Sequence, residues 1–235
     1  MQPCCARARG GWRFYFEFSG TLARWPEFAH AGVFTVLLSA AAMLLGLVIG
    51  IVGAFARLSS VRPARVIAGS YVEIIRNTPF LVQIYIIYFG LPAIGVRLDA
   101  LTAGILSLSL YAGAYITEIA RAGIETIDKG QVEAARALGL SPYLTFRHVI
   151  LKPAMAAVYP ALTSQFILIM LATSVVSVIS IPELTGVAND IQGLTFRSLE
   201  AFLIVAAIYL ALTAAFKGLF AVFDRTIFSF KYVGR

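Results

Sequence analysis

Two glutamates in largely apolar segments are each followed three positions later by an arginine: Glu73 by Arg76, and Glu118 by Arg121. Residues three apart share one face of a helix, so each pair can form an ion pair. Ionisable groups at membrane depth are costly and usually face a bundle interior or a water-filled path. Glu73 and Arg76 could equally lie at the cytoplasmic headgroup edge. For Glu118 and Arg121, the favoured interpretation is that they hold a helix end at the membrane surface.

Residues that could catalyse a reaction or hold a metal do not form a set in this sequence. His30 and His148 are isolated, and the adjacent Cys4 and Cys5 are poorly placed to bridge each other. The sequence has no G-x-x-x-x-G-K-[ST] phosphate loop. We therefore expect no catalytic residue, no metal site and no cofactor in this chain, and we expect any ATP hydrolysis to occur in another subunit.

The composition indicates a membrane protein. Of its 235 residues, 60% are hydrophobic and 13% are charged, whereas about 25% are charged in a typical soluble domain. Apolar runs of about 20 residues can cross a ~30 Å hydrocarbon core as helices, and they lack the alternation of barrel strands. The sequence predicts an all-α polytopic membrane protein with five transmembrane helices, at residues 28–56, 66–95, 98–120, 154–181 and 199–223.

The net charge of +7 does not indicate nucleic-acid binding, because the positively charged residues lie mainly in the loops between these spans. With the N-terminus outside, the segments 57–65, 121–152 and 217–235 are cytoplasmic and hold most of the inter-span Lys and Arg residues, as the positive-inside rule requires. Only Arg97 and Arg197 lie between spans on the other face. The sequence thus predicts one transmembrane domain, preceded by an N-terminal tail and followed by a cytoplasmic C-terminal tail, with bounds at 1–27, 28–225 and 226–235.

A polar segment at residues 125–153, called the polar loop below, separates two apolar spans. Residues 125–138 are mostly good helix formers, and Gly139 is placed where a helix end tolerates positive φ. Ser141 is a typical N-cap, with Pro142 at the first position of a second short helix, until Pro153 marks another bend. An ordinary amphipathic connector would show the same capping pattern.

The polar loop resembles the EAA loop in the membrane subunits of ATP-binding-cassette (ABC) importers. The match consists of Glu133, Ala134 and Ala135, then Gly139 four residues later, then a hydrophobic pair and a proline. Here Lys152 intervenes before Pro153, one place later than in the commonest form of the motif. The resemblance implies that these four residues form the coupling site for a cytoplasmic ATPase subunit.

The second apolar segment resembles a signature of the polar-amino-acid permeases within that family. Glu73, Arg76, Thr78, Pro79 and Gln83 match its glutamate, arginine, Thr-Pro pair and glutamine. Pro79 removes a helix hydrogen bond, so we expect a kink directly after Asn77 and Thr78. The resemblance makes the five matching residues candidates for translocation or gating.

Further polar candidates lie in and after the fourth span. Thr173, Ser177 and Ser180 fall on one face of an α-helix; hydroxyls there can line a polar path, but they more often bond a neighbouring helix. The segment after Pro182 should lie outside the membrane, which makes Glu183 and Asp190 candidates for docking a solute-binding protein.

The resemblance implies a permease subunit of an importer in the bacterial inner membrane that moves a polar amino acid or a derivative by alternating access. Its expected partners are cytoplasmic ATP-binding subunits that hold ATP and Mg²⁺, a second permease subunit (identical or similar), an extracytoplasmic solute-binding protein and the lipid membrane. The alternative is a gradient-driven carrier or channel. Such proteins commonly carry inverted repeats and acidic groups at the membrane centre, and no convincing repeat is visible in this sequence.

Overall fold

The computed structural model describes residues 5–8, 11–14 and 16–227, and it is helical apart from one hairpin at the N-terminus. The hairpin pairs β1 (Cys5–Ala8) with β2 (Gly11–Phe14) in antiparallel register. Within the predicted tails 1–27 and 226–235, the residues outside the described part of the chain are 1–4, 9–10, 15 and 228–235. The helices are α1 (Ser19–Leu22), α2 (Trp25–Leu58), α3 (Arg62–Arg76), α4 (Phe80–Tyr85), α5 (Ala100–Glu125), α6 (Lys129–Ala137), α7 (Pro142–Thr145), α8 (Leu151–Ala172), α9 (Leu184–Thr195) and α10 (Ser198–Ile227).

Short stretches of tighter or wider helix extend three of these elements. A π-helical turn (Ile86–Gly90) and a 3-10 turn (Leu91–Ile94) continue α4. A second π-helical turn (Phe146–Ile150) joins α7 to α8, and a 3-10 helix (Thr173–Ile179) follows α8. Within the described residues, four helical stretches are long and apolar enough to cross a membrane, and a bent pair at 62–76 and 80–94 is a fifth candidate. This agrees with the predicted all-α membrane fold.

The closest helix packing is between α2 and α5. A Cβ atom added to Gly46, Gly50 or Gly53 would lie within 2.6 Å of a side-chain atom of Ala112, Ile116 or Thr117, respectively. The absence of side chains on α2 lets the two helices approach closely, as small residues commonly do in membranes. These glycines therefore serve packing within the chain. Successive glycines of α2 meet successive residues of α5 in the same direction, so α2 and α5 run parallel.

Because the neighbouring helices α2 and α5 are parallel, the chain between them must return across the membrane. The other long helices alternate, because Gly123 of α5 lies against Val158 of α8 whereas Gly104 lies against Ile181. Likewise Phe166 of α8 contacts Phe216 of α10, and Thr173 Oγ1, just after α8, lies 3.4 Å from the hydroxyl oxygen of Tyr209 in α10. The helices α8 and α10 are therefore antiparallel. With the bent pair 62–76 and 80–94 counted as one span, the described helices fit five passes in alternating directions.

The second pass is not one continuous helix over 66–95. The chain bends by 108° between the two halves, after Asn77 and Thr78. The kink predicted at Pro79 is therefore present, but it is far larger than an ordinary helix kink. Pro79 cannot donate a backbone hydrogen bond, and the side chain of Gln83 takes over: its Nε2 donates to the carbonyls of Ile75 (2.8 Å) and Thr78 (2.9 Å). The amide thereby satisfies acceptors that the break leaves open.

Several predicted boundaries differ from the structure. The third pass continues to Glu125 instead of ending at residue 120. The first helix of the polar loop begins at Lys129, because Asp128 is its N-cap and accepts from Gly130 N at 2.6 Å. The fourth pass is α-helical only to Ala172 before it tightens into the 3-10 helix.

Two buried apolar clusters fix these passes. The larger one joins α2, α4, α5 and α8 through residues such as Leu38, Ile84, Leu108 and Ile169. The second one joins α2, α9 and α10 around Phe28, Leu184, Ile191 and Val205. The α2 helix belongs to both clusters, so it ties the two parts of the bundle together.

Gly46→Ala should destabilise the α2–α5 contact, because the new Cβ would meet the fixed Ala112 Cβ at 2.5 Å and backbone atoms at 3.2 Å. Overpacking of this kind costs about 1–3 kcal/mol, which lowers the Tm by several degrees in a protein of this size. Thermal unfolding of the detergent-purified protein measures this. Gly218→Ala is the control, since a Cβ there meets nothing within 4 Å; equal Tm values for the two variants would contradict the proposed packing.

Candidate functional site

The first helix of the polar loop ends in a tight turn that depends on glycine. Gly139 has φ +74°, a conformation that other residues rarely adopt. Leu140 N donates to Ala135 O at 3.1 Å and Gly139 N donates to Arg136 O at 2.9 Å, the hydrogen-bond pattern of a Schellman motif. The predicted role of Gly139 as the helix-ending residue is confirmed.

The second half of the polar loop starts at the predicted cap. Ser141 Oγ accepts from Leu144 N at 3.3 Å, and Pro142 is the first residue of α7. The bend predicted at Pro153 is wrong: Pro153 lies in the first turn of α8, which is continuous with the preceding π-helical turn. A proline in that position is tolerated because the wider turn before it changes the acceptor pattern.

The residues of the predicted coupling site do not all face outward. Glu133 and Ala134 are exposed on α6. Ala135 is only 4% exposed, because its small side chain lets α6 pack on its own chain; its part in the coupling site stays a prediction. Leu138 is 81% exposed and Tyr143 is 65% exposed. Sequence reasoning missed these two, although an apolar residue beside the helix-ending glycine of a polar segment was a visible signal.

A chain of ion pairs lies directly before the polar loop. Glu118 Oε2 lies 2.8 Å from Arg121 Nη2, as the spacing of the two residues predicts. Its other oxygen, Oε1, lies 3.2 Å from Nε of Arg57 in α2. Arg121 continues to Glu125 at 2.6 Å. Burial of a carboxylate is costly unless it is paired, and here two arginines compensate Glu118. The network fixes the last two turns of α5 to the end of α2.

The matching residues of the second pass have separate environments. Glu73 and Arg76 are both exposed and form no ion pair with each other; instead the guanidinium of Arg76 lies 5.2 Å from the ring centroid of Tyr115. Thr78 Oγ1 donates to Ile74 O at 2.7 Å. Thr78, Pro79 and Gln83 therefore belong to the break between α3 and α4, and Arg76 presents a charge beside it.

The hydroxyls of the fourth pass do not share one face. A 3-10 helix repeats every three residues, so Thr173 aligns with the buried Val176 and Ile179, whereas the half-buried Ser177 lies on a different face. Thr173 Oγ1 donates to Met170 O, and Ser177 Oγ donates to Ser174 O, both at 2.7 Å. The predicted hydroxyl stripe is wrong because it assumed an α-helical repeat.

Glu183 is fully buried, and it is therefore wrongly placed for docking a partner in this conformation. It is the N-cap of α9: its carboxylate accepts from Gly186 N and from the hydroxyl of Tyr209, each at 2.8 Å. Burial raises the pKa of the Glu183 carboxyl. Asp190, by contrast, lies exposed on α9.

The sequence matches the family model of the binding-protein-dependent transport system inner membrane component over residues 31–229. The chain belongs to this family. It is therefore a permease subunit of an ABC transporter, as predicted, and a transport protein rather than an enzyme.

Individual relatives agree with this assignment. The chain is 35% identical to the probable amino-acid ABC transporter permease protein YckA of Bacillus subtilis (strain 168) over 201 residues, 86% of this chain and 89% of that protein. It is 38% identical to the glutamine transport system permease protein GlnP of Escherichia coli (strain K12), over 84% of this chain and 91% of that protein. A solved amino acid ABC transporter crystallised with histidines superposes with a TM-score of 0.85 at 38% identity, covering 90% and 99% of the two chains.

Glu183→Gln should remove part of the pH dependence of stability. Because burial raises the pKa of Glu183, the folded protein binds this proton more tightly than the unfolded chain. The associated stability is complete below the ordinary glutamate pKa and decreases as pH rises through the raised pKa. As the pH rises above about 4.5, the Tm of the native protein should therefore fall relative to that of the variant. Asp190→Asn, an exposed control, should follow the native protein; parallel curves for native and Glu183→Gln would contradict this prediction.

Proposed function

We propose that this chain forms the translocation path of an importer that carries a polar amino acid or an amino-acid derivative across the bacterial inner membrane. The observation that supports this most is the polar loop, whose glycine-ended helix presents Glu133, Ala134 and Leu138 to the aqueous side. The substrate class is supported by relatives whose names specify amino acids or glutamine. No comparable observation favours a gradient-driven carrier.

The polar loop is proposed to dock on a cytoplasmic ATPase subunit that holds ATP and Mg²⁺. Leu138 and Tyr143 supply the apolar contact, since exposed apolar side chains on a water-facing loop typically mark an interaction site. Glu133 and Ala134 lie beside them on α6, and Ala135 and Gly139 set the geometry. Closure of the ATPase subunits on ATP would pull α6, and alternating access would follow from the movement of the passes.

The ion-pair network gives this movement a route into the bundle. Only residues 126–128 separate α5 from α6, so α6 cannot shift far without moving the end of α5. Arg57, bound to Glu118 at 3.2 Å, passes that movement to α2, which is closely packed on α5 along its length. The pair α2 and α5 would then move as one body.

The proposed orientation has the N-terminus outside and the C-terminus in the cytoplasm. Five alternating passes put the two ends of the described bundle on opposite faces. The face with the polar loop also carries Arg57, Arg62 and Arg65 at the α2–α3 connection, which the positive-inside rule assigns to the cytoplasm. Asp190 lies on the opposite face and remains the proposed contact for a solute-binding protein. A second permease subunit, identical or similar, would complete the path.

Glu133→Arg should prevent assembly with the ATPase subunit, because it reverses a charge beside the apolar docking residues. The measurement is co-purification from membranes in which the native or variant chain is co-expressed with its ATPase. The control is Asp190→Arg, the same change on an exposed residue of the opposite face. Stable co-purification of the native chain and Asp190→Arg, but not of Glu133→Arg, is the expected result.

The proposal fails if no ATPase subunit ever accompanies the native chain. If Glu133→Arg co-purifies with the ATPase subunit at the native level, the polar loop is not part of the interface. Leu138→Asp is the second variant, since it changes a side chain that is 81% exposed and cannot disturb internal packing.

Gly139→Val should uncouple transport while the protein remains inserted. A β-branched residue at φ +74° costs about 1–3 kcal/mol, so the turn relaxes and α6 loses its orientation. Since 1.4 kcal/mol is a factor of ten, uptake in proteoliposomes should fall about tenfold. Gly139→Asn is the matched control, because asparagine tolerates this conformation. Normal uptake by Gly139→Val, at equal membrane content, would count against the coupling role.

A further inference from the structure

A cavity of about 340 Å³ opens between α3, α5 and α8 on the side of the polar loop. Its volume falls in the range of small-ligand sites. The wall consists mainly of small or apolar residues: Ile119, Ala122, Gly123, Ala157, Val158 and Ala161. The polar residues of the lining are Arg76, Tyr115, Glu118 and Thr126.

The two charged residues of this lining differ in how they are engaged. Glu118 is bound by Arg57 at 3.2 Å and by Arg121 at 2.8 Å, so its charge is compensated inside the protein. Arg76 is exposed and forms no ion pair within residues 16–227. Within the cavity lining, it therefore supplies the one charge that is not neutralised by a neighbour.

The aromatic ring of Tyr115 fixes the Arg76 guanidinium, which lies 5.2 Å from the ring centroid. Such a cation–π contact orients the guanidinium without using its N–H donors. Free donors in a planar fork match a carboxylate in bidentate geometry. Ionisable groups in membrane segments usually face the bundle interior or a water-filled path.

We propose that Arg76, held on Tyr115, binds the carboxylate of the transported amino acid on the cytoplasmic side of the path. This inference rests on the proposed function and assigns a chemical group of the substrate to a residue. Amino acids and their derivatives share a carboxylate, so a site for this group accepts whichever substrate the solute-binding protein delivers. The small residues opposite Arg76 leave room for side chains of different size.

The first test compares transport by the reconstituted complex with its ATPase and solute-binding protein. Arg76→Gln should lower uptake about tenfold or more, because it removes a charge-assisted bidentate contact. Arg76→Lys should be intermediate, since an ammonium keeps the charge but not the fork. Arg62→Gln, an exposed arginine on the same helix, is the control and should stay within about twofold of native.

The second test measures binding directly and starts from the native complex. Saturation-transfer NMR on the native complex without solute-binding protein compares L-arginine and L-glutamine with their α-amides, in which the carboxylate is replaced. The acids should receive stronger saturation than the amides, and Arg76→Gln should reduce the acids to the amide level. Tyr115→Phe keeps the ring and should behave as native, whereas Tyr115→Leu should resemble Arg76→Gln.

The outcomes separate this inference from the proposed function. If the native complex takes up no amino acid, the proposed function fails. If it does, but acids and amides saturate equally or Arg76→Gln retains native uptake, only the carboxylate site is overturned. ATPase co-purification and the Tm of each variant show that a loss of uptake is not a loss of folding.

Discussion

Lipid offers no hydrogen bonds, and this constraint governs how the polar residues of the bundle are used. Hydroxyls on the passes donate to carbonyls one turn earlier: Ser39 to Thr35, Ser107 to Ala103, Ser109 to Ile105 and Thr117 to Gly113, all within 2.8 Å. Where the chain must break, a side chain replaces the missing backbone partner, as Gln83 does at Pro79. Glu118 shows the same constraint for a charged group, because two arginines pair with its carboxylate inside the bundle.

In the proposed mechanism, the packing around α2 and α5 lets a small surface loop act on the whole bundle. Glycines on α2 remove the side chains that would separate the two helices, and the Arg57–Glu118 contact closes the seam at the end nearest the polar loop. The α2 helix also belongs to the second apolar cluster with α9 and α10. A force on α6 thus reaches both halves of the bundle through packed contacts rather than through flexible loops.

Patterns that depend on nearby residues could be predicted from the sequence. The Gly139 turn, the Ser141 cap and the Glu118–Arg121 pair each involve residues only a few positions apart. The partners missed come from distant parts of the chain: Arg57 at Glu118, Tyr115 at Arg76, and Tyr209 at Glu183. The burial of Glu183 and the change from α to 3-10 geometry at Thr173 follow from tertiary packing, so no local pattern could have shown them.

The apolar side chains of the polar loop also bear on how the complex is assembled in the cell. Leu138 and Tyr143, 81% and 65% exposed, stay in contact with water for as long as the subunit is alone. Exposed apolar groups are what chaperones and proteases recognise. A newly inserted chain without the proposed ATPase partner therefore exposes an apolar surface that these systems can recognise, and the proposed docking would bury that surface.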